Sequence, residues 1–188
     1  APGPEGKDLM AGQNRYFRGG LSERVIKADS RPSTCVFISH KWEEKDLARL
    51  VAKELESLGI DYWLDVDDEG SIAAANVGSD EATFQAVERG LVNSSHLLAL
   101  ISPRTQNSWW VPFEIGAARA YTRPLIFFVH QEVVKRPAWM SLGTVLADKY
   151  DLDRWTKGLS PAPHLVELRK SAAFRGIDSV MPSFRAFR

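Results

Sequence analysis

The sequence predicts an α/β domain built on a parallel sheet. Short apolar runs rich in strand-forming residues recur along the chain, and segments with helical spacing of apolar residues separate them. Strands that alternate with helices form right-handed βαβ units, whose parallel sheet is covered by helices on both faces. The chain has 188 residues, of which 44% are hydrophobic, and this is enough for one such domain with its own core.

The first strand and helix follow a polar leader. Residues 1–33 are punctuated by Gly and Pro, with one weakly helical piece at 21–28, and we expect them to pack loosely on the domain or to be an added segment. The apolar run 35–39 is suited to a buried strand. The helix predicted over 43–58 has apolar residues at steps of three and four, and Gly59 ends it.

Strands and helices continue to alternate in the middle of the chain. The predicted elements are a strand at 60–65, a helix at 80–93, a strand at 96–102, a helix from Ser108 or Trp109 to Tyr121, and a strand at 124–130. The helix at 80–93 is expected to direct Phe84, Val87 and Leu91 inward.

The pattern weakens after residue 131. We predict a short helix at 139–146, a short fifth strand at 149–152 and a closing helix at 163–174. The domain then spans residues 34–175, and residues 176–188 form a tail.

Composition narrows the classes of partner. Lys plus Arg and Asp plus Glu number 24 each, so the formal charge is zero and no general attraction to nucleic acid or an anionic membrane is expected. No apolar run reaches the ~20 residues needed to cross a bilayer and no signal peptide opens the chain, so we expect a cytoplasmic protein. The single cysteine, Cys35, heads an apolar run, which predicts a buried strand residue in a reducing compartment.

The acidic loop after the second strand does not predict a metal site. Asp65, Asp67, Glu69 and Gly70 follow the first half of an EF-hand calcium loop, but Asn76 stands where a bidentate Glu is required. The histidines show no metal-ligand spacing either.

Several catalytic and phosphate-binding motifs are missing from the first strand. Neither GxxxxGK[ST] nor GxGxxG follows it, so P-loop and dinucleotide fingerprints are absent. A phospho-acceptor receiver would need an acidic pair where Ser39, His40 and Lys41 stand. Ser39 also lacks the GxSxG surroundings of a hydrolase nucleophile.

One carboxylate, Glu114, lies among aromatic and aliphatic residues. Trp110 is four residues earlier, so on a helix the two share a face, and such surroundings tend to raise a carboxyl pKa. An aromatic plane beside a carboxylate suits a planar cationic ligand. Ligands of parallel sheets bind beyond the carboxyl ends of the strands, and Glu114 lies about one turn into a helix that starts there. The alternative is a surface Glu beside core aromatics.

Four segments together resemble the Toll/interleukin-1 receptor (TIR) domain. Residues 36–41 resemble its first strand and following loop, and residues 63–66 resemble its second strand running into the long BB loop. Residues 98–103 resemble its third strand with the Ser-Pro ending. Residues 110–114 are similar to the WxxxE motif of enzymatic TIR domains. The segments occur in the family's order and cover residues 34–152.

The resemblance implies a flavodoxin-like three-layer fold with a central parallel five-stranded sheet. In members with the glutamate it also implies cleavage of the nicotinamide–ribose bond of NAD⁺, to ADP-ribose or a cyclic isomer. Glu114 would then be catalytic. The substrate-binding residues would be Ser39, His40, Lys41, Trp42, Asp65 and Trp110. NAD⁺ would be the substrate, with no further cofactor and no metal.

The resemblance also implies a biological role and self-association. Bacterial relatives act in anti-phage defence, self-associate to complete the cleft, and some make nucleotide signals that a downstream effector senses. Pro112 departs from the motif, but proline is tolerated in a first helical turn.

The chemistry agrees with this assignment. Loss of neutral nicotinamide leaves an oxocarbenium-like ribose, which a nearby carboxylate stabilises. Attack by water or by the adenine end would decide the product, and the sequence leaves both open. Two alternatives also stay open: a non-enzymatic TIR interaction module acting through the loop 66–76, and a nucleoside 2-deoxyribosyltransferase-like enzyme.

Overall fold

Five parallel strands form the central sheet. This computed structural model describes residues 11–15, 34–64, 80–159 and 177. The strands are β1 (Cys35–Ser39), β2 (Asp61–Trp63), β3 (His96–Ile101), β4 (Leu125–Val129) and β5 (Thr144–Leu146). Their order across the sheet is β2-β1-β3-β4-β5, and each neighbouring pair is parallel. The predicted flavodoxin-like α/β fold is therefore confirmed.

Within the described residues, four α-helices cover the two faces of this sheet. They are α1 (Lys45–Ser57), α2 (Asp80–Val92), α3 (Trp110–Ala120) and α4 (Lys149–Leu159). Alternate residues of β1 enter opposite clusters: Val36 packs with residues of α1 and α4, whereas Phe37 packs with residues of α2 and α3. All residues of β1 and of β4 are buried, as expected for central strands covered on both sides.

The elements near the carboxyl end differ from the prediction. The fifth strand lies at Thr144–Leu146 rather than at 149–152. The predicted helix at 139–146 is wrong in its second half, since a 3-10 helix occupies only Ala138–Leu142. Asp148 explains the shift, because its Oδ1 accepts hydrogen bonds from the backbone N–H groups of Tyr150 and Asp151 at 2.8 and 2.9 Å. This is the geometry of a helix N-cap, so α4 begins where a strand was predicted.

Residues 11–15 add a short extended segment to the free edge of β2. The backbone N–H of Tyr62 donates to the Gln13 carbonyl at 3.0 Å, and that of Arg15 donates to the Tyr62 carbonyl at 2.8 Å. The side chain of Asn14 accepts from the backbone N–H of Leu64 and donates to its carbonyl. An ion pair of 2.8 Å joins Arg15 to Asp61.

The remaining sequence predictions fall into two groups. The helix predicted at 21–28, the acidic loop 66–76 and the helix at 163–174 lie outside the described residues. The other helices and strands agree with the prediction to within a few residues at their ends. None of the helices in the described part of the chain has the length and apolar character that a bilayer crossing requires.

Candidate active site

Ser39 and Glu114 meet at the carboxyl edge of the sheet. Ser39 is the last residue of β1, and Glu114 is the fifth residue of α3. The Ser39 hydroxyl donates a hydrogen bond of 2.5 Å to Oε2 of Glu114. Ser39 is 1% exposed, whereas Glu114 is partly exposed. The carboxylate is thus held from the protein side and remains accessible from solvent.

The start of α3 determines where Glu114 lies. Ser108 Oγ accepts from the backbone N–H of Val111 at 3.3 Å, and the helix begins at Trp110. Pro112 is therefore in the first turn, where its missing N–H has no helical partner to lose. Buried apolar side chains at steps of four and three anchor the helix on the sheet, and they are Val111, Ile115 and Ala118. The helix therefore starts one residue after Trp109, the later of the two predicted starts.

His40 directly follows β1 and carries a neutral imidazole. Burial lowers its pKa to about 4, and the Arg49 charge acts in the same direction, while the contact with the Ile38 carbonyl opposes the shift. Its Nδ1 lies 3.4 Å from that carbonyl oxygen. Because a carbonyl can only accept, Nδ1 carries the proton and Nε2 is left as a hydrogen-bond acceptor.

Lys41 and Trp42 interact mainly with their sequence neighbours. Lys41 Nζ lies 3.1 Å from Glu43 Oε1, and Lys45 Nζ lies 4.1 Å from the centre of the Trp42 ring. Both residues stand at the same sheet edge as Ser39, since they follow β1 directly. The remaining predicted substrate residue, Asp65, lies outside the described residues.

Trp110 belongs to an aromatic cluster between α2 and α3. This α2–α3 aromatic cluster consists of Phe84, Trp110 and Phe113. The ring centre of Trp110 lies 5.3 Å from that of Phe84 and 5.9 Å from that of Phe113. Phe84 is 38% exposed, so the prediction that it points inward is wrong, whereas Val87 and Leu91 are buried as predicted. Trp110 is also 38% exposed.

A second serine–glutamate pair was not predicted from the sequence. The hydroxyl of Ser102, the residue after β3, donates to Oε1 of Glu44 at 2.5 Å, and both side chains are buried. Burial raises the pKa of Glu44 above its usual value, although the hydrogen bond from Ser102 opposes this. Glu43 and Glu44 are adjacent charged residues at the start of the predicted helix 43–58, a pattern typical of a solvated turn, so nothing in the sequence indicates a buried carboxyl.

The other titratable residues that the structure describes form no second centre. Cys35 is fully buried, and burial raises the pKa of its thiol to about 11, which confirms a structural role in the strand. Burial also lowers the pKa values of His96 and His130. Within the described ranges, no group of three or more His, Cys, Asp and Glu side chains is arranged to hold a metal ion.

Comparison with known proteins agrees with the fold. The family model described as the TIR domain matches residues 36–160, which is more than half of the chain. A comparison with curated proteins finds no match. The matched range contains β1 from its second residue onward, the other four strands of the sheet, and both members of the Ser39–Glu114 pair. The chain therefore belongs to the TIR-domain family.

Proposed function

We propose that the protein cleaves the nicotinamide–ribose bond of NAD⁺, with Glu114 as the catalytic residue. The observation that carries the proposal is the 2.5 Å hydrogen bond from Ser39 to Glu114. It fixes a partly exposed carboxylate at the carboxyl edge of a parallel sheet, where ligands of such folds bind. Membership of a family that includes NAD-cleaving enzymes supports the same assignment.

The proposed reaction needs one negative charge rather than a proton donor. The bond between ribose C1′ and the pyridinium nitrogen breaks, and its electron pair neutralises the departing nicotinamide. Positive charge then develops on the ribose, and the Glu114 carboxylate stabilises it. Water completes the reaction by adding its oxygen to C1′ and releasing a proton, which gives ADP-ribose. Attack by an adenine nitrogen instead gives a cyclic isomer.

Ser39 and His40 have distinct proposed roles in this reaction. Ser39 orients the carboxylate, since its hydroxyl holds one oxygen of Glu114. His40 supplies a neutral acceptor at Nε2, which suits a ribose hydroxyl. Lys41 has a charge that suits the pyrophosphate. The remaining proposed contacts with NAD⁺ are those of Trp42, Asp65 and Trp110.

Turnover of NAD⁺ by the purified protein tests the proposal. The protein is incubated with NAD⁺ at high protein concentration, and nicotinamide, ADP-ribose and cyclic isomers are separated by chromatography. Glu114→Gln removes the charge at nearly constant shape, and we expect it to lower the rate by at least about 100-fold. Glu56→Gln, an exposed position on α1, is the matched control. Release of nicotinamide by Glu114→Gln at the wild-type rate would overturn the assignment.

An interaction module is the second candidate, and the aromatic side chains near the start of α3 favour it. Trp109 is 91% exposed and lies beside the partly exposed α2–α3 aromatic cluster. Exposed aromatic residues are enriched at protein–protein interfaces. Failure of the wild-type protein to release nicotinamide, even when its oligomerisation is forced, would support this candidate. Transfer of deoxyribose between nucleosides and free bases would instead point to a deoxyribosyltransferase.

Assembly and signalling extend the first candidate. We propose that the enzyme works in the cytoplasm, in immune or anti-phage signalling, and that a downstream effector senses its nucleotide product. We further propose that TIR surfaces self-associate to complete the cleft. The rate per protein molecule should then rise with protein concentration, and a rate that stays constant over a wide dilution range would contradict this.

A further inference from the structure

Glu44 is a buried carboxyl group that packing alone does not explain. It is 6% exposed, and glutamate is rarely buried to this extent unless it is paired. Its Oε1 accepts from Ser102, while among the described residues its Oε2 has no hydrogen-bond partner. Leaving a buried polar atom unpartnered is unfavourable. A buried glutamate at this position therefore points to a function for the bond that it does make.

A series of hydrogen bonds leads from Ser102 to α3. The backbone N–H of Ser102 donates to Thr105 Oγ1 at 2.9 Å, and this hydroxyl donates back to the Ser102 carbonyl at 2.6 Å. The N–H of Ser108 donates to the Thr105 carbonyl at 3.0 Å, and Ser108 Oγ accepts from Val111. The loop 102–109 is thus a bonded unit that connects Glu44 to the first turn of α3.

The two serine–glutamate hydrogen bonds together join two connections of the chain, each of which leads from a strand to the following helix. One connection runs from β1 to α1 and contains Ser39 at its start and Glu44 at its end. The other runs from β3 to α3 and contains Ser102 at its start and leads to Glu114. Each connection supplies one serine and one glutamate, and the bonds cross between them. Loss of one bond removes one of these two side-chain links, while the pairing of β1 with β3 remains.

We propose that Glu44 is a positioning residue, which holds the loop 102–109 through Ser102 and so sets the position of Glu114 against Ser39. This inference rests on the proposed function. The required property of Glu44 is an acceptor oxygen at Oε1 rather than a charge. The charged groups that act on it are Glu43, Lys41 and Arg104. A glutamine at position 44 retains the acceptor and lacks the charge, so it separates the two properties.

Four variants test the proposal: Glu44→Ala, Glu44→Gln, Ser102→Ala and the control Thr156→Val. Thr156 is a buried hydroxyl in α4 that bonds only to the backbone of its own helix in the described structure. The first measurement is kcat and KM for nicotinamide release from NAD⁺. The second is hydrogen exchange of the backbone amides in residues 102–111, which does not depend on catalysis.

We expect Glu44→Ala and Ser102→Ala to lower kcat by about 10- to 100-fold, because small misplacements of a catalytic group have effects of this size. KM should change much less. The double variant should be no slower than Ser102→Ala, since both single variants remove the Glu44–Ser102 bond and Ser102→Ala also removes the acceptor of the Arg104 N–H. Glu44→Gln should stay close to the wild type. Exchange in residues 102–111 should be faster in both Ala variants, but not in Glu44→Gln or Thr156→Val.

Each outcome decides one of the two proposals. No nicotinamide release by the wild type would overturn the proposed function, and hydrogen exchange would still decide whether Glu44 holds the loop. Wild-type kcat and exchange in Glu44→Ala would overturn the positioning role. Equal impairment of Glu44→Gln and Glu44→Ala would show that the charge matters and would overturn it as well. If Glu44→Ala does not fold, Glu44→Gln and Ser102→Ala decide.

Discussion

Ser39 on β1 donates its hydroxyl hydrogen to Glu114 on α3 across 75 positions of sequence. The bond joins a strand end to the first turns of a helix that follows a different strand. Such a contact exists only in the folded chain, because no local structure brings the two residues together. The catalytic carboxylate that we propose is therefore oriented by the fold rather than by its own helix.

Removal of the Ser39 hydroxyl should weaken catalysis more than stability. We expect Ser39→Ala to lower kcat for NAD⁺ cleavage by about 10-fold, since Glu114 loses its orienting donor. The free energy of unfolding should fall by only about 1 kcal/mol, which is typical of one hydrogen bond. Steady-state kinetics and urea unfolding measure the two effects.

The control for this variant is Ser57→Ala. Ser57 also donates a hydrogen bond, to the Glu54 carbonyl at 2.8 Å, but on α1 rather than at the sheet edge. Removal of the Ser57 hydroxyl should lower the free energy of unfolding by a similar amount and leave kcat unchanged. Equal kcat values in Ser39→Ala and the wild type would contradict the orienting role.

His40 should make the folded protein less stable in acid. Its pKa is about 4 in the folded protein and about 6.5 in the unfolded chain. Between these values the unfolded chain binds a proton that the folded protein does not, so stability falls as pH falls from 6.5 towards 4. Above and below this window His40 contributes no further pH dependence. The total effect is up to about 3 kcal/mol.

Urea unfolding at a series of pH values checks this prediction. His40→Gln has no titrating imidazole, so its stability should fall less than that of the wild type over the same window. The remaining histidines and the carboxylates titrate in both proteins and cancel in the difference. Parallel curves for the two proteins would contradict the lowered pKa.

Two neighbouring tryptophans should differ in their effect on stability. Trp110 contacts Phe84 and Phe113 in the α2–α3 aromatic cluster, so Trp110→Ala should lower the free energy of unfolding by about 1–3 kcal/mol. Trp109 is 91% exposed, and Trp109→Ala should change the free energy of unfolding by less than about 0.5 kcal/mol. Chemical unfolding of both variants measures the difference, and equal losses would show that the cluster does not join α2 to α3.

Two helical glycines should respond to alanine in opposite ways. At Gly90 on α2 an added Cβ would lie 2.6 Å from the Phe37 ring and 2.6 Å from Trp63 Nε1, so Gly90→Ala should destabilise the fold by about 1–3 kcal/mol. At Gly158 on α4 no atom of the described residues lies within 4 Å of such a Cβ. Gly158→Ala should stabilise the fold by up to about 1 kcal/mol through helix propensity. Thermal unfolding that shifts in the same direction for both would contradict this packing.

Sequence reasoning succeeded where apolar runs were long and failed where they were short. β1 and β4 are runs of five buried residues, so their composition predicts them. β5 has only three residues, Thr144–Leu146, and three residues establish no period. Asp148 was the signal that could have placed α4, since Asp is a preferred N-cap.

The candidate site was likewise predicted only in part. The order of the elements was enough to bring Ser39 and Glu114 to one edge of the sheet. The Glu44–Ser102 pair was not predictable, because 58 positions of sequence separate a charged residue from its buried partner. Phe84 also looked like a core residue by its helical spacing, yet it packs at the margin of the helix pair.

The segment 11–15 bears on where the chain can be truncated for expression of the domain. Without this segment, the β2 edge would expose to other chains the Tyr62 N–H and carbonyl that bond to Gln13 and Arg15, and exposed strand edges promote aggregation by strand addition. The contact leaves no space at Gly12, where an added Cβ would meet the Ile60 carbonyl oxygen. A protein trimmed to the matched range 36–160 would lose this cover. The folding unit is therefore longer at its amino end than the family match, and expression boundaries should retain residue 11.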